Sequence, residues 1–215
     1  HAYSRSTDTP DYGLASQPNG FQYSASVGGS GDATGLTQFV ESRNAKHIPS
    51  SGSTKVILSF YLKHTTNSGS NKITSVVGTM DSADNSGAST NRSTQNHNTT
   101  TSWARYNHEM TGADLTAAVT NGLVVNIKHN GSGTTAFLLT GCQLEINETV
   151  TPFETRSVGE ELTLCERYFQ IGGHCTGRTY SNTQAELYYQ FITEMRAAPS
   201  VSMRGAGNVN TYDTG

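Results

Sequence analysis

The chain has 215 residues, of which only 14% are charged, and a net charge of −3. That balance excludes a surface built to neutralise nucleic-acid phosphates. No apolar run is long enough to cross a bilayer, so membrane insertion is not expected either. Hydrophobic residues make up 33% of the chain, a share low enough for disorder, but they cluster in period-two runs that disorder would not produce. The three cysteines, Cys142, Cys165 and Cys175, are an odd number at irregular spacing. They read as reduced, mostly buried thiols, fitting assembly in a reducing cytoplasm.

Residues 1–19 carry Pro and Gly punctuation without a period and read as an extended arm or linker. From residue 20 the pattern is one of strands. "FQYSASV" alternates Phe21, Tyr23, Ala25 and Val27 on one face, and "LTQFVES" follows a Gly-rich turn. "KVILSFYLKH" is the strongest strand, with Val56, Leu58, Phe60 and Leu62 on one face and Ile57, Ser59, Tyr61 and Lys63 on the other. "KITSVVGTM" comes next. Residues 81–102 hold no large apolar residue and read as a long surface loop. "WARYNHEM" resumes the strand pattern, and "GLVVNIKH" puts Leu123, Val125 and Ile127 on one side. In "TTAFLLTGCQLEI", Ala136, Leu138, Cys142, Leu144 and Ile146 share a face. No helical period appears before residue 157. Short strands separated by turn signals over residues 20–155 are the sequence form of an antiparallel jelly-roll β-sandwich.

At residue 157 the period changes. Ser157 followed by Glu160 is a capping-box pattern. Val158, Leu162, Cys165 and Phe169 fall on one helical stripe, with Leu164 and Tyr168 beside it. Glu160 and Glu161 in the first turn and Arg167 near the last suit the helix dipole, and Gly172-Gly173 ends a helix over about 157–170. So short a helix is marginal alone in water and must lie against the sandwich or against copies of itself. Alternation returns in "AELYYQFITEM", with Leu187, Tyr189, Phe191 and Met195 on one face, so residues 172–215 read as an incomplete second β-domain. Beginning at His1 and stopping in a polar run, the chain reads as a piece of something longer.

The strings "GCQLEINETVTPFE" (141–154), "RSVGEELTLCERYF" (156–169) and "EMRAAPSVS" (194–202) resemble a pattern found in virion fibre proteins of tailed bacteriophages. Those proteins often carry a jelly roll similar to carbohydrate-binding modules, ending in "GxQLExG…ATPFE", then "R…GEEL.LCQRYY" and a segment with "MRAAP". Upstream, "LTQFVES", "VILSFYLK" and "TSWARYNHEM" resemble earlier strands of the same module, so the likeness runs over most of residues 20–203. Here "INET" replaces a Gly-containing turn and Glu166 a Gln. The resemblance implies a virion structural protein made in the bacterial host, on the tail or the capsid. It also implies a trimeric fibre or spike, partnered by other virion fibre or tail proteins, that recognises a host surface glycan or receptor. Residues 156–171 would then be the neck of a homotrimer, held by Val158, Leu162, Cys165 and Phe169.

Catalytic patterns are lacking: the sequence holds no GxSxG, HExxH, P-loop or paired-Cys zinc spacing. His47, His64, His97, His108, His129 and His174 are scattered and read as surface residues. Carboxylate pairs that could run glycoside hydrolysis are Asp81 with Asp84, Glu109 with Asp114, and Glu160 with Glu161. Nothing separates any pair into an acid and a nucleophile, so no catalytic residue is assigned and no enzyme is expected. Sugar binding needs aromatic platforms and groups that bond hydroxyls. Tyr61 and Tyr106 are the candidate platforms, Asn96 and Asn98 the candidate amides, and Trp103 reads as core. No cofactor is required; Asp32 in "GGSGDATG" (28–35) could offer oxygens to calcium, although a plain turn is the better explanation of one Asp in a Gly loop.

Overall fold

The computed structural model describes residues 2–10, 24–30, 34–48, 54–66, 69–84, 87–131, 133–154, 156–171, 176–181 and 184–201. The chain divides into two units, His1–Thr155 and Arg156–Gly215.

In the first unit, β1 (Ala2–Ser6), β2 (Ser24–Ser30), β4 (Lys55–Thr66), β7 (Ala104–Thr111) and β9 (Thr134–Ile146) form a five-stranded sheet in the order β1-β2-β9-β4-β7. Facing it, β3 (Gly35–Val40), β5 (Gly69–Met80), β6 (Ser89–Thr99) and β8 (Leu123–His129) form a four-stranded sheet in the order β3-β8-β5-β6. Every pairing is antiparallel. From β2 onward the chain changes sheet at each connection except the β5–β6 hairpin, which is the winding of a jelly roll.

The core follows from the alternation in the strands. Val56, Leu58, Phe60 and Leu62 of β4 point between the sheets, where they meet Ile73 and Val77 of β5 and Leu123, Val125 and Ile127 of β8. Met110, Phe137, Leu139 and Val27 complete this layer. The short helices α1 (Ser42–Ala45) and α2 (Ala118–Asn121) and a 3₁₀ turn at Gly112–Leu115 add Ala45, Ala118 and Leu115 to it. No helix among the described residues is long and apolar enough to cross a membrane.

Several expectations are corrected. Residues 2–6, read as an arm, pair with β2 as an edge strand. Asp8, just beyond them, accepts hydrogen bonds from Trp103 Nε1 (2.7 Å) and Lys63 Nζ (2.5 Å), so Trp103 is half-buried under a polar tie rather than sealed in the core. Residues 81–102, read as a loop, contain the whole of β6. Its small polar side chains give no apolar alternation, but backbone pairing with β5 and the burial of His97 and Thr99 hold it in the sheet. Short helical turns do occur before residue 157, each only one turn long and too brief to show a period.

In β9 the inward residues are Phe137 and Leu139, then Leu144, not a continuous even-numbered row. The cause is a β-bulge: Ser59 opposes Gln143 but Tyr61 opposes Thr140, so the strand holds an extra residue between them. Gly141 sits there at φ +57°, which a residue without Cβ adopts freely. Cys142 and Cys165 are exposed free thiols rather than buried ones, and Cys175 lies outside the described residues.

In the second unit, α3 (Val158–Glu166) is shorter than the expected span and ends in a turn at Arg167–Tyr168. Its capping box is present: Ser157 Oγ accepts from Glu160 N (3.3 Å), and Glu160 Oε2 accepts from Ser157 N (2.9 Å). A hairpin of β10 (Thr176–Ser181) and β11 (Gln184–Tyr188) follows. The alternation read through Met195 stops at Tyr188. Residues 189–201 carry no regular structure, and the chain folds back on the end of α3 through Arg196 N to Arg167 O (3.0 Å) and Gln170 Nε2 to Thr193 O (2.9 Å).

Candidate functional site

The outer face of the five-stranded sheet is built by the odd-numbered residues of β4 and β7. Tyr61 lies between Thr140 of β9 and Arg105 of β7, and Ser59 lies between Gln143 and Asn107. Directly opposed side chains in such rows are about 5 Å apart, close enough to act as one surface. The Arg105 guanidinium sits over the Tyr61 ring, with Cζ 5.5 Å from its centroid. Its Nη2 donates to Ser59 Oγ at 2.8 Å. Tyr61 and Arg105 are both half-buried, whereas Asn107 is exposed.

Around this centre the other charges are already engaged. Lys55 pairs with Glu109 (3.0 Å), one row beyond Asn107. Lys63 pairs with Asp8, and that contact, followed by the Trp103 hydrogen bond, holds the Asp8 carboxyl below its ordinary range. Glu145 accepts from Thr151 N (3.0 Å) and Thr151 Oγ1 (2.6 Å), and Gln143 Oε1 accepts from Glu154 N (2.8 Å). The "TPFE" segment is thereby folded back along the β9 side of the face. The arrangement offers an aromatic ring, a guanidinium, amides and hydroxyls on a shallow surface, which is chemistry for holding a hydroxyl-rich ligand.

The structure does not bring the candidate sugar-binding residues together. Tyr61 belongs to this face. Tyr106 points inward, stacked on Phe60 (5.9 Å) and edge-on to His97 (5.7 Å), so it packs the core and is no platform. Asn96 and Asn98 stand on β6, on the outer side of the other sheet. There Asn96 Oδ1 accepts from Thr74 Oγ1 at 2.7 Å. Asp32 lies outside the described residues. Arg105, Asn107 and Gln143 escaped the sequence reading. A signal for the first two was available: Tyr106, His108 and Met110 share a parity, and once Met110 is assigned inward, Arg105 and Asn107 must face out.

The carboxylate pairs have structural duties. Asp84 accepts from Ser42 N (2.6 Å) and Asp81 from Thr90 Oγ1 (2.7 Å). Asp114 accepts from the Thr111 hydroxyl and backbone N–H, which lowers its pKa, in that order of importance. Glu160 serves the α3 cap, and Glu161 pairs with Arg156 (3.0 Å). Among the described residues no cluster of His, Cys, Asp and Glu could hold a metal ion.

Four histidines read as surface residues are instead buried: His64, His97, His108 and His129. Ser75 Oγ contacts His97 Nε2 (2.7 Å) and His108 Nδ1 (2.9 Å), and His108 Nε2 contacts Ser93 Oγ (2.8 Å). This chain of contacts crosses from β5 and β6 to β7 inside the sandwich. Desolvation pushes His97 and His64 each down to about 4 and also lowers His108.

The neck residues of the sequence reading are all exposed: Val158 at 64%, Leu162 at 56% and Phe169 at 70%, with Cys165 also open.

No family model matches the chain, and no curated protein matches it. Among solved structures, it is similar to the CBM22-1 xylan-binding domain from Paenibacillus barcinonensis, with TM-score 0.45 and 14% identity over 69% of this chain and 83% of that one. A CBM4 structure gives TM-score 0.41 and 13% identity over 58% of this chain and 84% of that one. The enzymatically active domain of tailspike protein 4 of bacteriophage CBA120 gives TM-score 0.38 and 14% identity, covering 68% of this chain but only 18% of that one. The fold described above rests on strand order and register rather than on these likenesses.

Proposed function

We propose that this chain is a structural and adhesive subunit of a bacteriophage fibre or tailspike. It would bind a host surface glycan through its jelly roll without hydrolysing it, and assemble as a homotrimer through α3. The observation that carries the reading is the outer face of the five-stranded sheet, where the half-buried Tyr61 sits between Arg105 and Thr140, with the exposed Asn107 one row away. A ring of this kind packs the apolar side of a sugar, and the flanking groups bond its hydroxyls. Support for the fibre comes from the 141–169 resemblance and from the apolar stripe Val158, Leu162 and Phe169, exposed on the helix of the second unit. The structural duties of the carboxylates support a binding role over a cleaving one.

A surface face is shallow, so a single site would hold its ligand weakly, and three copies on one rod would supply the strength by avidity. The test uses the full chain on a panel of bacterial surface polysaccharides, with the mass in solution measured by light scattering. The expected result is a trimer that binds a subset of glycans, releases no reducing ends, and binds about tenfold more weakly on Tyr61→Ala with its melting intact. A monomer at micromolar concentration would remove the fibre, and release of reducing ends would replace binding with depolymerisation.

A further inference from the structure

We infer that the glycan held on this face is acidic, and that Arg105 receives a sugar carboxylate. The inference rests on the glycan-binding reading and narrows it to a substrate class. It starts from charge accounting on the sheet face. Lys55 is matched by Glu109 and Lys63 by Asp8, each at ion-pair distance. Arg105, in the row between them, has no carboxylate partner among the described residues. Glu145, on β9 across β4 and two rows away from Arg105, is occupied by the Thr151 backbone and hydroxyl.

The guanidinium is also held in place without being used up. Ser59, itself fully buried, accepts from Nη2 at 2.8 Å and fixes one arm of the fork. The Tyr61 ring lies beneath the guanidinium carbon. Nε is buried and makes no hydrogen bond among the described residues. A half-buried cation without a counter-charge is costly to leave alone, and the cost is reduced by a ligand that brings a negative charge to the open side of the guanidinium. A carboxylate fits the planar fork through two parallel N–H···O bonds, and a pyranose ring carrying it would lie beside Tyr61. Neutral sugar hydroxyls would satisfy the fork less well, since charge-assisted hydrogen bonds are roughly twice as strong as neutral ones.

The experiment measures binding of the full chain to a panel of carboxylated bacterial capsular polysaccharides. Each is presented both as isolated and after chemical reduction of its carboxylates to primary alcohols, alongside neutral capsules. The expected result is binding to one or more acidic members that falls tenfold or more on carboxyl reduction, falls as strongly for Arg105→Gln, and weakens with salt. Arg105→Lys, which keeps the charge but loses the fork, is expected to recover part of it, and unchanged melting shows that the variants fold. Binding that survives carboxyl reduction, or that is confined to neutral capsules, overturns the acidic assignment and leaves glycan binding standing. Binding to no member of the panel overturns both.

Discussion

His97 and His108 are wired through Ser75 and Ser93: a neutral imidazole has one donor and one acceptor, and these hydroxyls meet both nitrogens of His108 and Nε2 of His97. His64 is different. Both of its ring nitrogens are buried without a hydrogen-bond partner among the described residues, and the ring leans on Phe137 at 5.7 Å. The folded-state pKa values of His97 and His64, about 4, lie below the ordinary 6.5, so between those limits the unfolded chain binds more protons than the folded one. Stability is therefore whole above pH 6.5, declines as pH falls from 6.5 to about 4, and has lost the full contribution below that. Each of the two groups accounts for on the order of 3 kcal/mol. Denaturant unfolding at a series of pH values is expected to show this acid decline. His64→Leu is expected to raise stability at neutral pH by about 1 kcal/mol, by removing orphaned polar atoms, and to shrink the decline. A steeper decline in the variant would mean that the ring is satisfied in a way its geometry does not reveal.

At the scale of elements, α3 depends on its ends more than on its packing, because none of its residues is buried. Ser157→Ala removes the cap that receives Glu160 N, and it is expected to cost the helix about 1 kcal/mol. Amide exchange at residues 158–161 reads this as faster opening; unchanged exchange would show that neighbours hold the helix after all. This helix was legible in the sequence because a capping box and a 3.6-residue stripe coincide, and its last turn was misread because Tyr168 and Phe169 continue the stripe beyond Glu166. The strands β4 and β8 were legible because their alternate apolar residues, Val56, Leu58, Phe60 and Leu62 in one and Leu123, Val125 and Ile127 in the other, are the ones that enter the core. β6 was hidden because Ser, Thr, Asn and Gln carry no hydrophobic signal, and the first half of β9 was read on the wrong face because one extra residue at Gly141 reverses parity there, while Leu144 beyond it was read correctly. The site was half visible. Tyr61 stands out by opposing an apolar row, whereas the pairing of Arg105 with it depends on β4 and β7 being neighbours, which no local pattern states.

For the whole molecule, the division at Thr155/Arg156 puts the proposed glycan-binding face and α3 in different units. Residues 1–155 hold the two sheets and their core and are expected to fold alone. As a monomer, this fragment should bind the same glycans as the full chain with unchanged selectivity, but about a hundredfold more weakly on a dense polysaccharide surface. Surface plasmon resonance at low and high ligand density would measure both. Equal affinity at high density would show that sister copies contribute nothing.

The position of β9 sets a clock on biosynthesis. It lies between β2 and β4, so the five-stranded sheet lacks its middle until the final strand of the sandwich has left the ribosome. Until then β2 and one side of β4 are raw edges, open to wrong partners, and a nascent chain halted before Thr134 is two half-sheets with no seam to join them.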